Sequence, residues 1–171
     1  MREELHVAAL ARVREWFGFG EDERPKSVQE YSRLNYSPDL VRGLKGDHAE
    51  LLKLYAELER MAIEGRYAAI PATLGHFKSK LDMHLLNENL HFYCYVEERA
   101  GGEQDRELIR GFRAEMNTIA RAVLHFVKTY RQAGVHPANG QTFTAELRQV
   151  GAQLLQRIER EEQDLYALYR A

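Results

Sequence analysis

The sequence predicts an all-α fold, namely an antiparallel up-down four-helix bundle preceded by one extra N-terminal helix. Apolar residues recur every three to four positions along five segments, which is the period of an amphipathic α-helix. Turn-forming residues separate these segments, and no segment shows the alternation of apolar and polar residues that is typical of a strand. Long amphipathic helices joined by short loops pack most simply as an up-down bundle.

The elements follow from these patterns in chain order. The first helix is predicted within residues 1–17, and a charged linker with several glycines follows it. The four bundle helices are predicted from about Ser37 to Gly65, from about Pro71 to residue 100, from about Asp105 to Gln132, and from about Thr142 to the C-terminus. Ser37 is the expected N-cap, with Pro38 at the first helical position. The chain therefore divides into residues 1–36, an N-terminal helix and linker, and residues 37–171, the bundle.

Composition limits the classes of function. The chain has 171 residues and a net charge of −2, with 24 basic residues dispersed among 26 acidic ones. This balance argues against a nucleic-acid or membrane partner, because no basic stripe stands out. Cys94 has no second cysteine to form a disulfide with and fits a reducing compartment. We expect a soluble, cytoplasmic protein.

One stretch, LDMHLLNENLHFY at 81–93, places charged and imidazole groups on an apolar stripe. His84, Glu88 and His91 are spaced four and three residues apart, so a helix would carry all three on the face expected to be buried. A lone core histidine is usually a hydrogen-bonded one. Several such groups beside buried carboxylates point to a site, because an unpaired buried carboxylate is costly.

The bundle geometry predicts which residues share a level with this stretch. Antiparallel helices joined around Arg66, at Gly102 and in the loop around residues 138–139 bring residues equally distant from each turn to the same height. One level of the bundle is then predicted to hold His48, His84, Glu88, Met116, Ala120, Arg157 and Glu161. The sequence therefore concentrates its buried polar groups in one layer.

Residues from about 37 to 169 resemble the hemerythrin-like, or HHE cation-binding, family. The resemblance rests on DH at 47–48, HLLNENLHFY at 84–93 and RIEREEQDLY at 157–166. It implies one His on the first bundle helix, His-x-x-x-Glu on the second, one or two His on the third and His-x-x-x-Glu/Asp on the fourth. In the family these ligands hold a bridged di-iron centre that binds oxygen or reports oxygen, nitric oxide or redox state.

The chain keeps part of that ligand pattern and departs from the rest. The residues that match it are His48, His84, Glu88 and Glu161. Met116 and Ala120 stand where the third helix would carry histidine, and Arg157 stands where the fourth would. The resemblance therefore implies that one iron has lost its terminal imidazoles. The other keeps its two histidines, and both bridging carboxylates remain.

Three hypotheses follow for this site. The first is a single Fe, Mn or Zn ion held by the four matching residues, with Arg157 near the place of the missing metal's charge. The second is a metal-free regulator in which Arg157 pairs with Glu88 and Glu161 and replaces the metal. An Arg followed by an acidic pair on the last helix, together with the N-terminal helix, also resembles the bacterial regulators of sigma D, helical proteins that bind an RNA polymerase sigma factor. The third is a complete di-iron protein that recruits His91, since His125 is predicted to point elsewhere.

We expect a non-enzymatic sensory or regulatory protein. The sequence has no phosphate loop, no dinucleotide fingerprint and no nucleophile–base arrangement supported by its geometry. The expected cofactor is one iron ion, or none, and the expected small ligand is oxygen or nitric oxide. Arg157, His91 and Met116 are predicted to surround the ligands. A protein partner is expected at the N-terminal helix, through Trp16 and Phe17.

Overall fold

The computed structural model describes residues 36–171, and every structural statement below refers to that part of the chain. The predicted N-terminal helix and its linker, apart from Tyr36, lie outside the described residues. Within them the fold is all-α and contains no strand, so the predicted fold class is confirmed. None of the described helices is both long and apolar enough to cross a lipid bilayer.

Four rods form the bundle, and two of them change helix type along their length. The α-helical parts are α1 (Leu40–Ile63), α2 (Ile70–Asn87), α3 (Cys94–Arg99), α4 (Glu103–Ala133) and α5 (Gly140–Arg160). A π-helical segment, Glu88–Tyr93, joins α2 to α3 in one continuous rod. A second π-helical segment, Glu161–Leu165, continues α5 and ends in a 3₁₀ turn, Tyr166–Leu168.

Glycines in the left-handed backbone region end two of the rods. Gly65 has a φ of 69° and follows α1, as predicted, and Gly134 has a φ of 71° and follows α4. After α1, the backbone N–H groups of Gly65 and Arg66 donate hydrogen bonds to the carbonyls of Ala62 and Met61. These bonds satisfy carbonyls that the helix end would otherwise leave free.

The start of α1 differs from the prediction, because Ser37 does not cap the helix. The helix begins at Leu40, and Ser37 lies before a short turn. The backbone N–H of Ser37 donates to the hydroxyl of Tyr169 at 2.9 Å, which ties the start of the bundle to its C-terminal end. The carboxylate of Asp39 pairs with Arg42 rather than capping the helix.

A polar layer divides the bundle core into two apolar clusters. One cluster contains Leu51, Leu85 and Leu154, and the other contains Leu44 and Phe92. Between them, in sequence order along the rods, lie the buried polar side chains His48, His84, Glu88, Arg157 and Glu161. Apolar packing on both sides therefore holds this layer out of water.

Candidate metal centre

Three rods contribute the buried polar side chains of the layer. His48 lies on α1 and His84 on α2, while Glu88 and Glu161 are each the first residue of a π-helical segment. Arg157 lies one turn before Glu161 on α5. All five side chains belong to residues that are at most 3% exposed. Their charges therefore act on one another with little screening by water.

Three of these residues meet in a cluster with the dimensions of a metal site. One ligand atom from each of His48, His84 and Glu161 lies within 4.8 Å of the other two. His48 Nε2 is 3.2 Å from Glu161 Oε2, and the two imidazole rings have centroids 4.7 Å apart. Two atoms bound at about 2.1 Å to one tetrahedral ion are about 3.4 Å apart. The histidine–carboxylate pair thus already has the separation of two ligands.

Each imidazole has a carboxylate near its Nδ1 atom. His48 Nδ1 lies 2.9 Å from Glu162 Oε1, and His84 Nδ1 lies 3.7 Å from Asp47 Oδ2. The carboxylate bonded to Nδ1 of His48 favours the tautomer with the proton on that nitrogen, which leaves the Nε2 lone pair free for a metal. The distance to Asp47 is too long for a hydrogen bond, and His84 Nδ1 has no hydrogen-bond partner within residues 36–171. Sequence analysis did not predict Asp47 or Glu162, because each looks like an ordinary surface acid.

These contacts also set the protonation of the groups around the histidines. The contact with His84, helped by Lys80, lowers the pKa of Asp47 to about 2 against the effect of burial. Burial alone would lower the pKa of His48, but the hydrogen bonds to Glu161 and Glu162 raise it above its usual value. A metal ion must displace the proton of His48, so metal binding is favoured by rising pH.

The pKa values of the two carboxyl groups of the layer are shifted in opposite directions. Burial, together with the negative charge of Glu161, raises the pKa of Glu88 well above its usual range. Burial also disfavours the ionised form of Glu161, but the hydrogen bond from His48 and the charge of Arg157 lower its pKa overall. Glu88 Oε2 is buried and has no hydrogen-bond partner within residues 36–171. A buried oxygen left in this way is costly and fits a metal ligand.

Arg157 occupies the other side of the layer and is hydrogen-bonded in three directions. Its Nε donates to Glu161 Oε1 at 2.6 Å, its Nη1 to Glu115 Oε2 at 3.2 Å and its Nη2 to Tyr93 Oη at 2.9 Å. The predicted contact with Glu161 therefore forms. The predicted contact with Glu88 is not among the hydrogen bonds of the described residues. Arg157 donates to the carboxylate of Glu115 instead. Sequence analysis did not single out Glu115.

His91 does not lie on the buried stripe, and this corrects the prediction. The side chain is exposed, whereas Phe92 and Tyr93 are buried. The prediction assumed about 3.6 residues per turn. Residues 88–93 are π-helical, with bonds from i to i+5, so the third residue after Glu88 falls short of a full turn. His91 is therefore not part of the buried cluster of His48, His84 and Glu161.

The third rod brings no ligand from the two positions where the family pattern expects histidine. Met116 and Ala120 are buried in the larger apolar cluster. His125, farther along α4, is exposed, as predicted. The residues present therefore fit one metal ion beside His48 and His84, and the opposite half of the layer is filled by the guanidinium of Arg157.

One of the comparisons with known proteins identifies the family of this chain. The family model of the hemerythrin HHE cation binding domain matches residues 39–169, which is most of the chain. The chain therefore belongs to the hemerythrin HHE cation-binding domain family. Comparison with curated proteins and with solved structures found no significant match.

Replacing Arg157 by leucine should destabilise the metal-free protein by about 3–5 kcal/mol, because Glu161 would keep a buried charge without its ion-pair partner. Arg160→Leu is the matched control on the same helix, since Arg160 is 40% exposed and, among the described residues, forms its ion pair with Glu115. That change should cost about 1 kcal/mol or less. Urea unfolding after chelator treatment measures both, and equal losses would contradict the assigned role of Arg157.

Proposed function

We propose that this chain is a non-enzymatic, cytoplasmic sensory or regulatory protein that binds one metal ion in the layer. The proposed ligands are His48, His84 and Glu161, with Glu88 as a further oxygen donor. The supporting observation is the cluster of ligand atoms within 4.8 Å of one another, contributed by the first three of these residues. Arg157 supplies positive charge in the other half of the layer, which argues against a second ion there.

Iron is the proposed metal. Imidazole and carboxylate ligands suit Fe, Mn and Zn alike, and the family binds cations. A bound iron ion would supply a redox change and an open position for a diatomic gas. The side chains of the layer are almost entirely buried, so an organic substrate would have to open the bundle to reach them. This burial supports sensing of oxygen, nitric oxide or redox state rather than turnover of a larger substrate.

Anaerobic loading of the untagged protein with Fe(II), followed by elemental analysis, tests metal binding. We expect about one iron per chain, because a site whose ligands are already clustered binds metal strongly. His84→Ala should reduce this to less than about one-tenth, since it removes one of two imidazoles. His125→Ala is the matched control, as His125 is exposed and should leave the iron content unchanged. Two irons per chain, or none, would contradict the single-ion site.

Adding nitric oxide to the Fe(II)-loaded protein tests the sensing role. We expect a change in the visible spectrum that scales with bound iron and reaches a stable end point without continued consumption of the gas. Zn(II)-loaded protein is the control, because zinc has no redox chemistry and should stay spectroscopically silent. Steady consumption of nitric oxide would contradict a non-enzymatic role.

A metal-free regulator is the second candidate function, and the hydrogen bonds of Arg157 favour it. Its guanidinium already bonds to Glu161, Glu115 and Tyr93, so the layer is partly charge-balanced by the protein itself. In this case the protein would act by binding a protein partner, and we propose that the partner binds through Trp16 and Phe17. Absence of iron from the loaded protein, together with a partner that crosslinks to residues 1–36, would favour this function over the first.

A further inference from the structure

The sequence Glu-x-x-x-x-Tyr occurs at 50–55, 88–93 and 161–166; the first copy lies in the α-helix α1, whereas the other two contain a π-helical segment. In an α-helix the fifth residue after a glutamate points about 140° away from it. A π turn closes after about 4.4 residues, so the fifth residue returns close to the same face. Each buried glutamate is therefore accompanied by a buried tyrosine, Tyr93 or Tyr166.

The two tyrosine hydroxyls have different surroundings. Tyr93 Oη accepts a hydrogen bond of 2.9 Å from Arg157, on the side of the layer that holds the guanidinium. Tyr166 Oη lies on the side of the histidines, 3.4 Å from His48 Nε2 and 3.3 Å from Glu88 Oε1. The first hydroxyl is thus committed to a charged donor, and the second faces the proposed ligands.

Packing alone does not account for the hydroxyl of Tyr166. The ring lies 5.1 Å from Phe92 and stacks on His48 at 5.8 Å, and a phenylalanine would keep both contacts. The hydroxyl makes only long contacts, since hydrogen bonds between oxygens are usually about 2.7–2.8 Å. A buried hydroxyl held this loosely is satisfied poorly by the protein itself.

We propose that Tyr166 Oη is a direct ligand of the metal ion, beside His48, His84 and Glu161. This inference rests on the proposed metal site. Tyr166 Oη and Glu161 Oε2 lie 3.4 and 3.2 Å from His48 Nε2, which matches the separation of about 3.4 Å between two ligands of one ion. On coordination the phenol O–H bond breaks, an oxygen–metal bond forms and the proton is released to solvent.

The visible spectrum of the Fe(III)-loaded protein tests this ligand. A phenolate bound to Fe(III) gives a charge-transfer band in the visible and enhances tyrosinate ring vibrations in the resonance Raman spectrum. We expect both in the wild-type protein and in the matched control Tyr93→Phe. Tyr166→Phe should lose both and bind iron roughly 10- to 100-fold more weakly. Circular dichroism checks that each variant is folded.

Elemental analysis of the same samples separates the two claims. Iron bound to wild-type protein without tyrosinate vibrations would overturn the role of Tyr166 and leave the metal site standing. A band that persists in Tyr166→Phe, or that disappears in Tyr93→Phe alone, would likewise overturn it. Failure of the wild-type protein to bind iron would overturn the proposed function and this inference together. Should Tyr166→Phe bind no iron, the vibrations in wild type and in Tyr93→Phe decide the question.

Discussion

The ion pair between Arg157 and Glu161 is the interaction on which the polar layer depends. Both side chains are buried, and neither charge would be tolerated there alone. The carboxylate of Glu161 also contacts the imidazole of His48, so it links the guanidinium half of the layer to the histidine half. Loss of Arg157 would therefore disturb a proposed metal ligand as well as the core. The same carboxylate can serve the protein without a metal, which is why the two candidate functions share one structure.

The π-helical segments determine which residues join this layer. Each begins at a buried glutamate and changes the direction in which the following side chains point, compared with an α-helix. Segments of this kind are rare and often occur at functional sites. Here they turn His91 out to solvent and bring Tyr93 and Tyr166 in. A family pattern transferred by α-helical spacing alone would assign the wrong neighbours to both carboxylates.

The fold could be predicted from sequence because it depends on repeated signals. Helical periodicity and turn residues such as Gly65 determine the extent of the rods. The antiparallel arrangement of neighbouring rods then predicts that His48, His84 and Glu161 lie at one level, and the structure brings them together. The surroundings of the site could not be predicted in the same way. Glu115 and Glu162 look like surface acids until the neighbouring rod is known, and no propensity signals a π turn. Periodicity thus identifies the buried layer, but the partners across rods depend on tertiary packing.

X-ray absorption at the iron edge, measured on the iron-loaded protein, tests the central claim most directly. A single ion among His48, His84 and Glu161 predicts one shell of nitrogen and oxygen atoms at about 2.0–2.2 Å. It predicts no second iron nearby, because Arg157 holds that half of the layer. An iron–iron distance of about 3.5–4 Å would reveal a two-metal centre. That result would contradict the account.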